Sequence, residues 1–227
     1  MIWFTADTHF DDEKTLLYRY RPFRNAREMN QAIVKNWNSC ISPKDTVFHL
    51  GDFAVSDDAV EEYAPMLNGK IKLIMGNHDD VRDRKILEKY FELKDKPYIL
   101  KFNHNGKGDQ IFICHYPKQR PDVEKNNIYT ACGHIHDLWK ITRKMVNVGV
   151  DAWHFKPVSL QQILDSRQAE LDGHWDANVY PDASFEWQWT VSLKRGEKAQ
   201  GKEPTMDILR KEIERNFPPP RYLPWFI

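Results

Sequence analysis

Short apolar runs punctuate the first 150 positions, and most end in a turn that carries Asp, Asn or His. Residues 2–6 are β-branched, aromatic or small and read as a buried strand, with Asp7 and His9 just past its end. Asn25 can cap a helix, with Glu28 three residues on; Met29, Ile33, Trp37 and Cys40 then recur at about four residues and give it one apolar face. Ser42-Pro43-Lys44-Asp45 breaks that pattern, and residues 46–50 predict a second strand running into Gly51-Asp52. Ser56 caps a second helix with Ala59, Val60, Tyr63 and Leu67 on its apolar side; Pro65 kinks or shortens it, and Asn68-Gly69 stops it. A third strand over 70–75 ends at Gly76-Asn77-His78-Asp79, and a charged helix covers about 83–90. Residues 98–102 and 110–114 predict a hairpin across Asn105-Gly106, whose second arm delivers His115. A strand over 128–132 leads to Gly133-His134-Ile135-His136, and another covers 144–150. Ser159 and Gln162 form a capping box for a helix reaching about residue 169.

After about residue 167 the character changes. Phe185, Trp187, Trp189 and Val191 alternate with Glu186, Gln188, Thr190 and Ser192, the pattern of a half-buried strand whose aromatics serve packing rather than base stacking. Residues 194–203 are polar and basic and read as a mobile loop. Thr205 can cap a helix with Met206, Leu209, Ile213 and Phe217 on one face, which Pro218-Pro219-Pro220 ends; the apolar tail over 222–227 needs a surface to dock on. The expected division is a core over 1–167 and a C-terminal extension over 168–227 that packs on it.

The 227 residues suffice for one domain and an appendage. Lys+Arg and Asp+Glu are both 33, and this balance speaks against a sequence-blind grip on long nucleic acid. The apolar runs are too short to cross a membrane, and the N-terminal residues lack a signal-peptide pattern. Cys40, Cys114 and Cys132, without CxxC spacing, give neither a disulfide framework nor a zinc knuckle, so a cytoplasmic location is expected.

The candidate chemistry sits at the strand ends. Asp7-x-His9, Gly51-Asp52 and Gly76-Asn77-His78-Asp79 each have a bland reading as a polar turn, and His115 as a strand-end histidine, whereas Gly133-His134-x-His136 is more specific because two imidazoles two apart suit chelation. Together, in this order, each after a strand, they mark the place where ligand sites assemble in α/β architectures. The set D-x-H, G-D, G-N-H-[D/E], H, G-H-x-H resembles the calcineurin-like metallophosphoesterases over Asp7 to His136. It is also similar to a small bacterial and phage-type subgroup through Arg21-Pro22-Phe23, His49-Leu50-Gly51-Asp52, Asn147-Val148-Gly149-Val150-Asp151 and about Leu164.

The resemblance implies an α/β fold: a two-sheet β-sandwich flanked by helices in αββα layers. It implies a phosphoester hydrolase, phosphatase or phosphodiesterase, in which a hydroxide shared by two metals attacks phosphorus and His78 protonates the leaving oxygen. Asp52 is the expected bridge; Asp7, His9 and His136 complete one metal site, and Asn77, His115 and His134 the other. The cofactors implied are two divalent transition-metal ions, Mn²⁺ first, with Fe, Zn, Ni or Co as alternatives. Asn77, His78 and Arg21 are the expected substrate contacts.

Elementary chemistry asks for the same parts. Phosphate esters repel anionic nucleophiles, and two cations about 3.5–4 Å apart neutralise them and lower the pKa of a shared water towards about 7. Imidazole and carboxylate ligands suit those metals better than calcium. Two divalent ions against only Asp7 and Asp52 leave the centre cationic, as a phosphate binder should be.

The expected partner is a small phosphoester such as a nucleotide, with monoester against diester left open and no oligomeric state implied. A nuclease, tethered through Lys194, Arg195, Lys198, Lys202, Arg210 and Lys211, is the alternative; a non-catalytic scaffold is disfavoured because every ligand position is filled. His49 reads as a buried strand histidine. Asp79 either orients His78 or caps a helix. Arg19, Arg21 and Arg24 either clamp phosphate or form a solvated basic loop. Asp151 and His154 show no ligand spacing, and Cys114 and Cys132 read as core.

Overall fold

Strands in this protein that are apolar on both faces must be covered on both, and the computed structural model, which describes residues 1–121, 128–142 and 144–171, does so with helices on one side and a second sheet on the other. The first sheet contains β1 (Ile2–Thr5), β2 (Thr46–His49), β3 (Lys70–Ile74) and β4 (Glu92–Lys94), all parallel. The second contains β5 (Tyr98–His104), β6 (Lys107–Ile113), β7 (Tyr129–Cys132), β8 (Ile141–Thr142) and β9 (Met145–Asn147), in the order β5-β6-β7-β9-β8. β10 (Val158–Ser159) returns to the first sheet antiparallel to β1. The helices are α1 (Glu13–Tyr18), α2 (Ala26–Cys40), α3 (Asp57–Tyr63), α4 (Arg84–Tyr90) and α5 (Leu160–Leu171). Two sheets flanked by helices is the expected architecture.

The period of two in β1 to β3 sorts side chains into two cores. Trp3, Val47, Ile71 and Leu73 meet Met29, Ile33 and Trp37 of α2, Val60 of α3 and Leu87 of α4. Phe4, Phe48 and Ile74 meet Ile111, Ile113, Ala131 and Val146 of the second sheet, with Phe4 and Phe48 stacked at 5.5 Å. The register pairs Thr5 with His49 and His49 with Leu73, so these strands end together. Ile113 pairs with Ala131 and Ala131 with Val146, which ends β6, β7 and β9 together as well. An Ala6–Gly149 bridge, with Val150 N–H donating to Ala6 O at 3.0 Å, joins the two sheets at that end.

Local signals set most boundaries. The Asn25 side chain accepts from Glu28 N–H at 2.9 Å, but Glu28 reaches Arg24 rather than closing a box on Asn25. Ser56 caps α3; Pro65 ends it at Tyr63 and starts a single 3-10 turn. Ser159 and Gln162 do form the reciprocal box, at 3.2 and 2.9 Å. Asn105 and Gly106, at φ +52° and +77°, make the tight turn of the β5–β6 hairpin, so its arms run longer than the apolar pattern suggested. The sequence pattern did not signal α1, β4, β8 or β10, which have six residues or fewer. The expected strand, loop, helix and tail between 172 and 227, His174, and the basic residues of the proposed nucleic-acid tether lie outside the described residues. Among the described residues no helix is long and apolar enough to cross a membrane.

His49 ends β2 fully buried, beside Trp37 and Phe53. The Thr8 hydroxyl donates to Phe53 O at 2.8 Å, so at its 3.0 Å contact with His49 Nε2 it must accept, which fixes the proton on Nε2. His49 Nδ1 has no hydrogen-bond partner, and burial pushes this imidazole down to about 3. The unfolded chain, with its histidine near 6.5, therefore takes up a proton first as pH falls, and stability is lost below about 6.5. At pH 5 this one group should remove roughly 2 kcal/mol. Urea unfolding in EDTA at pH 7.5 and pH 5 should show the gap between wild type and His49→Gln, whose amide keeps the bond to Thr8, shift by that amount in the variant's favour. An equal loss in both proteins would reject the assignment.

Candidate metal centre

Five strand ends of the two sheets deliver their polar turns to one place. Asp7 and His9 follow β1, Asp52 follows β2, Asn77 and His78 follow β3, His115 follows β6, and His134 and His136 follow β7. Asp7, His9, Asp52, His134 and His136 all lie in the left-handed region, with φ of 58°, 49°, 60°, 73° and 52°. Such backbone is costly for residues with a Cβ and persists where the surroundings impose it. Gly51, at φ +97°, shows how close the approach is: a Cβ there would lie 2.5 Å from His115 Nδ1. A Cβ on Gly149 would lie 2.8 Å from Asp7 Oδ2.

The ligand-type atoms fall into three groups, each within 4.8 Å: Asp7, His9 and His136; Asp52, His115 and His134; and His9, Asp52 and His78. Asp52 joins them. Its Oδ2 lies 3.6 Å from His9 Nε2 and 3.5 Å from His115 Nε2. Asn77 Oδ1 is 3.2 Å from His115 Nε2 and accepts from the Tyr116 hydroxyl at 3.2 Å. All seven residues expected as metal ligands are thus brought together, with His78 beside them.

The imidazoles are held in one tautomer from behind. His115 Nδ1 donates to Leu50 O at 2.7 Å, and a carbonyl can only accept. His9 Nδ1 donates to Asp12 at 3.1 Å, and His136 Nδ1 to Asp151 at 2.8 Å. Each Nε2 therefore turns a lone pair inward. Burial lowers the pKa of His9, His115 and His136 and takes His134 down to about 4, so these rings are neutral near pH 7. His9 Nε2 is buried and has no hydrogen-bond partner. Lone pairs of two neutral imidazoles aimed at one carboxylate oxygen repel each other unless a cation lies among them. The donor set, imidazole and carboxylate without thiolate, fits a divalent transition metal; Cys114 and Cys132 are buried in the second sheet.

Burial and the Asp52 charge push Asp7 well above the usual carboxylate range, against two contacts from His134 N–H at 3.0 and 2.9 Å. The loops are cross-tied. His78 N–H donates to Asp52 Oδ1 at 2.9 Å. Asp79 neither caps a helix nor orients His78. It accepts from Asp52, Phe53 and Gly76 N–H at 2.7, 2.9 and 2.9 Å, and burial pushes it up to about 7 against those donors.

Arg21 corrects an expectation. It does not face the open side as a substrate contact; its side chain is fully buried. Its guanidinium binds both oxygens of Asp151 at 2.8 Å and donates to Asp7 O at 2.6 Å and Thr8 O at 2.9 Å. Composition shows a basic stretch but not which arginine turns inward. Asp12 and Asp151 were not singled out as supports of the ligands. The spacing of Asp12, three after His9, and the place of Asp151, just past the β9 strand, were the available signals. Despite burial, the bonds from His9 and Thr15 hold Asp12 well below the usual range, and the Arg21 charge and His136 bond do so for Asp151.

Removing one partner of this buried pair strands the other's charge. Arg21→Met should therefore lose about 3–5 kcal/mol of stability, whereas Arg24→Met, at a solvent-facing pair with Glu28, should barely move the denaturation midpoint. Equal midpoints for the two variants would count against the structural role of Arg21.

A family model of the calcineurin-like phosphoesterase superfamily domain matches residues 1–170, which takes in all of these side chains. An uncharacterized protein of Methanocaldococcus jannaschii is 31% identical over 173 residues, spanning 72% of this chain and 89% of that protein. The gene 66 protein of Mycobacterium phage L5 is 24% identical over 193 residues, spanning 72% of this chain and 92% of that protein. The crystal structure of a protein of unknown function from Aquifex aeolicus is similar with a TM-score of 0.58 and 28% identity, covering 73% of this chain and 98% of that one. A family match over this span, together with strand ends that converge in space, makes the chain a member of the calcineurin-like phosphoesterase superfamily.

Proposed function

We propose that the protein is a phosphoester hydrolase with a two-cation centre, acting on a small phosphoester such as a nucleotide. The observation that carries this is the buried, unpartnered Nε2 of His9, which with His115 Nε2 faces a single oxygen of Asp52. Asp7, His9 and His136 would hold one cation and Asn77, His115 and His134 the other, with Asp52 shared between them. Bound there, two divalent ions, Mn²⁺ first, would supply charge neutralisation for the phosphate and a water acidic enough to react near neutral pH.

The chain's own residues have distinct tasks. Asp52 gives Oδ2 to the space between two imidazoles, while its Oδ1 is occupied by His78 N–H. Asp12, Asp151 and Leu50 O hold three ligand imidazoles in one tautomer and aimed inward, while burial keeps those rings neutral. His78 is half-buried with its ring 4.8 Å from that of His9, edge-on. It is the one imidazole of the cluster outside the two ligand sets, and an imidazolium can give a proton to a leaving oxygen.

Two variants separate these tasks. His78→Ala should keep full metal content yet lose about 10²–10⁴-fold in kcat on p-nitrophenyl phosphate or its bis ester. Asp52→Asn should lose bound metal together with turnover. Metal content by mass spectrometry and the two rates, after reconstitution with Mn²⁺, decide the matter. Metal loss in His78→Ala would make that residue a ligand, and an unaffected Asp52→Asn would remove the shared carboxylate.

A further inference from the structure

Three arginines lie after or at the end of α1, and their surroundings differ. Arg24 is 88% exposed and pairs with Glu28, away from the centre. Arg21 is consumed inside, as described above. Arg19 lies between these extremes: its side chain is 25% exposed, and its Nη1 is 3.7 Å from Asp137 Oδ1, longer than a hydrogen bond. Asp137 is the residue after His136, and its side chain is 57% exposed.

We infer that Arg19 is the side chain that grips a non-bridging oxygen of the substrate's phosphoryl group at the mouth of the centre. This rests on the phosphoesterase reading and names a residue for its substrate contact. Arg19 closes α1, with its N–H shared between Thr15 O and Leu17 O. The other end of α1 is capped by Asp12, the same carboxylate that holds His9. Two residues later, Arg21 N–H donates to Leu16 O at 3.0 Å and its guanidinium is locked beneath Asp7. The root of Arg19 is therefore fixed on both sides to the framework that carries the ligands, while among the described residues its tip meets a solvent-facing carboxylate through one long contact. Exposed pairs of that kind are weak, so a phosphoryl oxygen can replace Asp137 at small cost. A guanidinium offers the fork that phosphate oxygens accept, which an ammonium cannot reproduce. Its Nη1 reaches towards Asp137, the residue next to His136, so the guanidinium stands beside the turn that carries two of the imidazoles.

The test uses the full chain loaded with Mn²⁺, and calorimetric binding of inorganic phosphate as a readout independent of turnover. Arg19→Met should weaken phosphate binding and raise KM by about 10- to 100-fold, with metal content unchanged. Arg19→Lys should fall between it and wild type. Asp137→Asn, which frees the guanidinium, should bind phosphate as tightly as wild type or tighter. If Arg19 merely pins the His136 loop, Asp137→Asn will reproduce the defect of Arg19→Met, and the inference fails. It fails too if Arg19→Met binds phosphate like wild type, or if metal-loaded wild type binds none. Phosphate binding that depends on Arg19 in a protein that hydrolyses neither ester would instead overturn the phosphoesterase reading and leave the anion site standing.

Discussion

Two buried carboxylates and the lone pairs of several neutral imidazoles cannot share one end of a β-sandwich without positive charge among them. Asp7 and Asp52 are nearly inaccessible to water, and Asp52 raises the pKa of Asp7. Like charges at this depth disfavour each other's ionised form. The uncompensated arrangement is one that packing alone would not select. It makes sense as a chelating cluster, and the rest of the structure can be understood as what keeps its donors aimed.

The aim is enforced in two layers. Parallel register brings the strands of both sheets to a common end, and left-handed backbone at five ligand-bearing positions turns the side chains inward. Behind them, Asp12, Asp151 and Leu50 O fix the imidazole tautomers, Asp79 ties the β2 and β3 turns together, and Arg21 ties the β1 turn to Asp151. A buried Arg–Asp pair stabilises little when weighed against a packed apolar alternative. Here it supports both His136, through Asp151, and the backbone of Asp7 and Thr8, so its value is in geometry. The same network anchors the backbone of Arg19 at the end of α1.

Much of this was legible before any coordinates. Short apolar runs gave β1 to β3 as buried strands, Asn25 and Ser56 gave helix starts, and Asn105-Gly106 gave the hairpin, because each signal acts over a few neighbouring residues. Very short elements escaped: β4, β8 and β10 have two or three residues, too few to show a period, and each is defined by its pairing with another strand. The order of the Asp, Asn and His turns carried the family resemblance that named the expected donors, and the fold brings those side chains to one place. Three arginines in six positions, by contrast, look alike in sequence.

Residue type and order therefore determined the longer strands, the main helix starts and the candidate donors. Tertiary structure alone decided which arginine is buried and which stays partly exposed, which carboxylates orient imidazoles, and that Asp79 bonds the backbone of the β2 and β3 turns. Those roles depend on where a side chain of fixed charge meets groups as far as 130 positions away, as Arg21 meets Asp151. Local propensity carries no information about such meetings; only the packing of two sheets at a shared edge does.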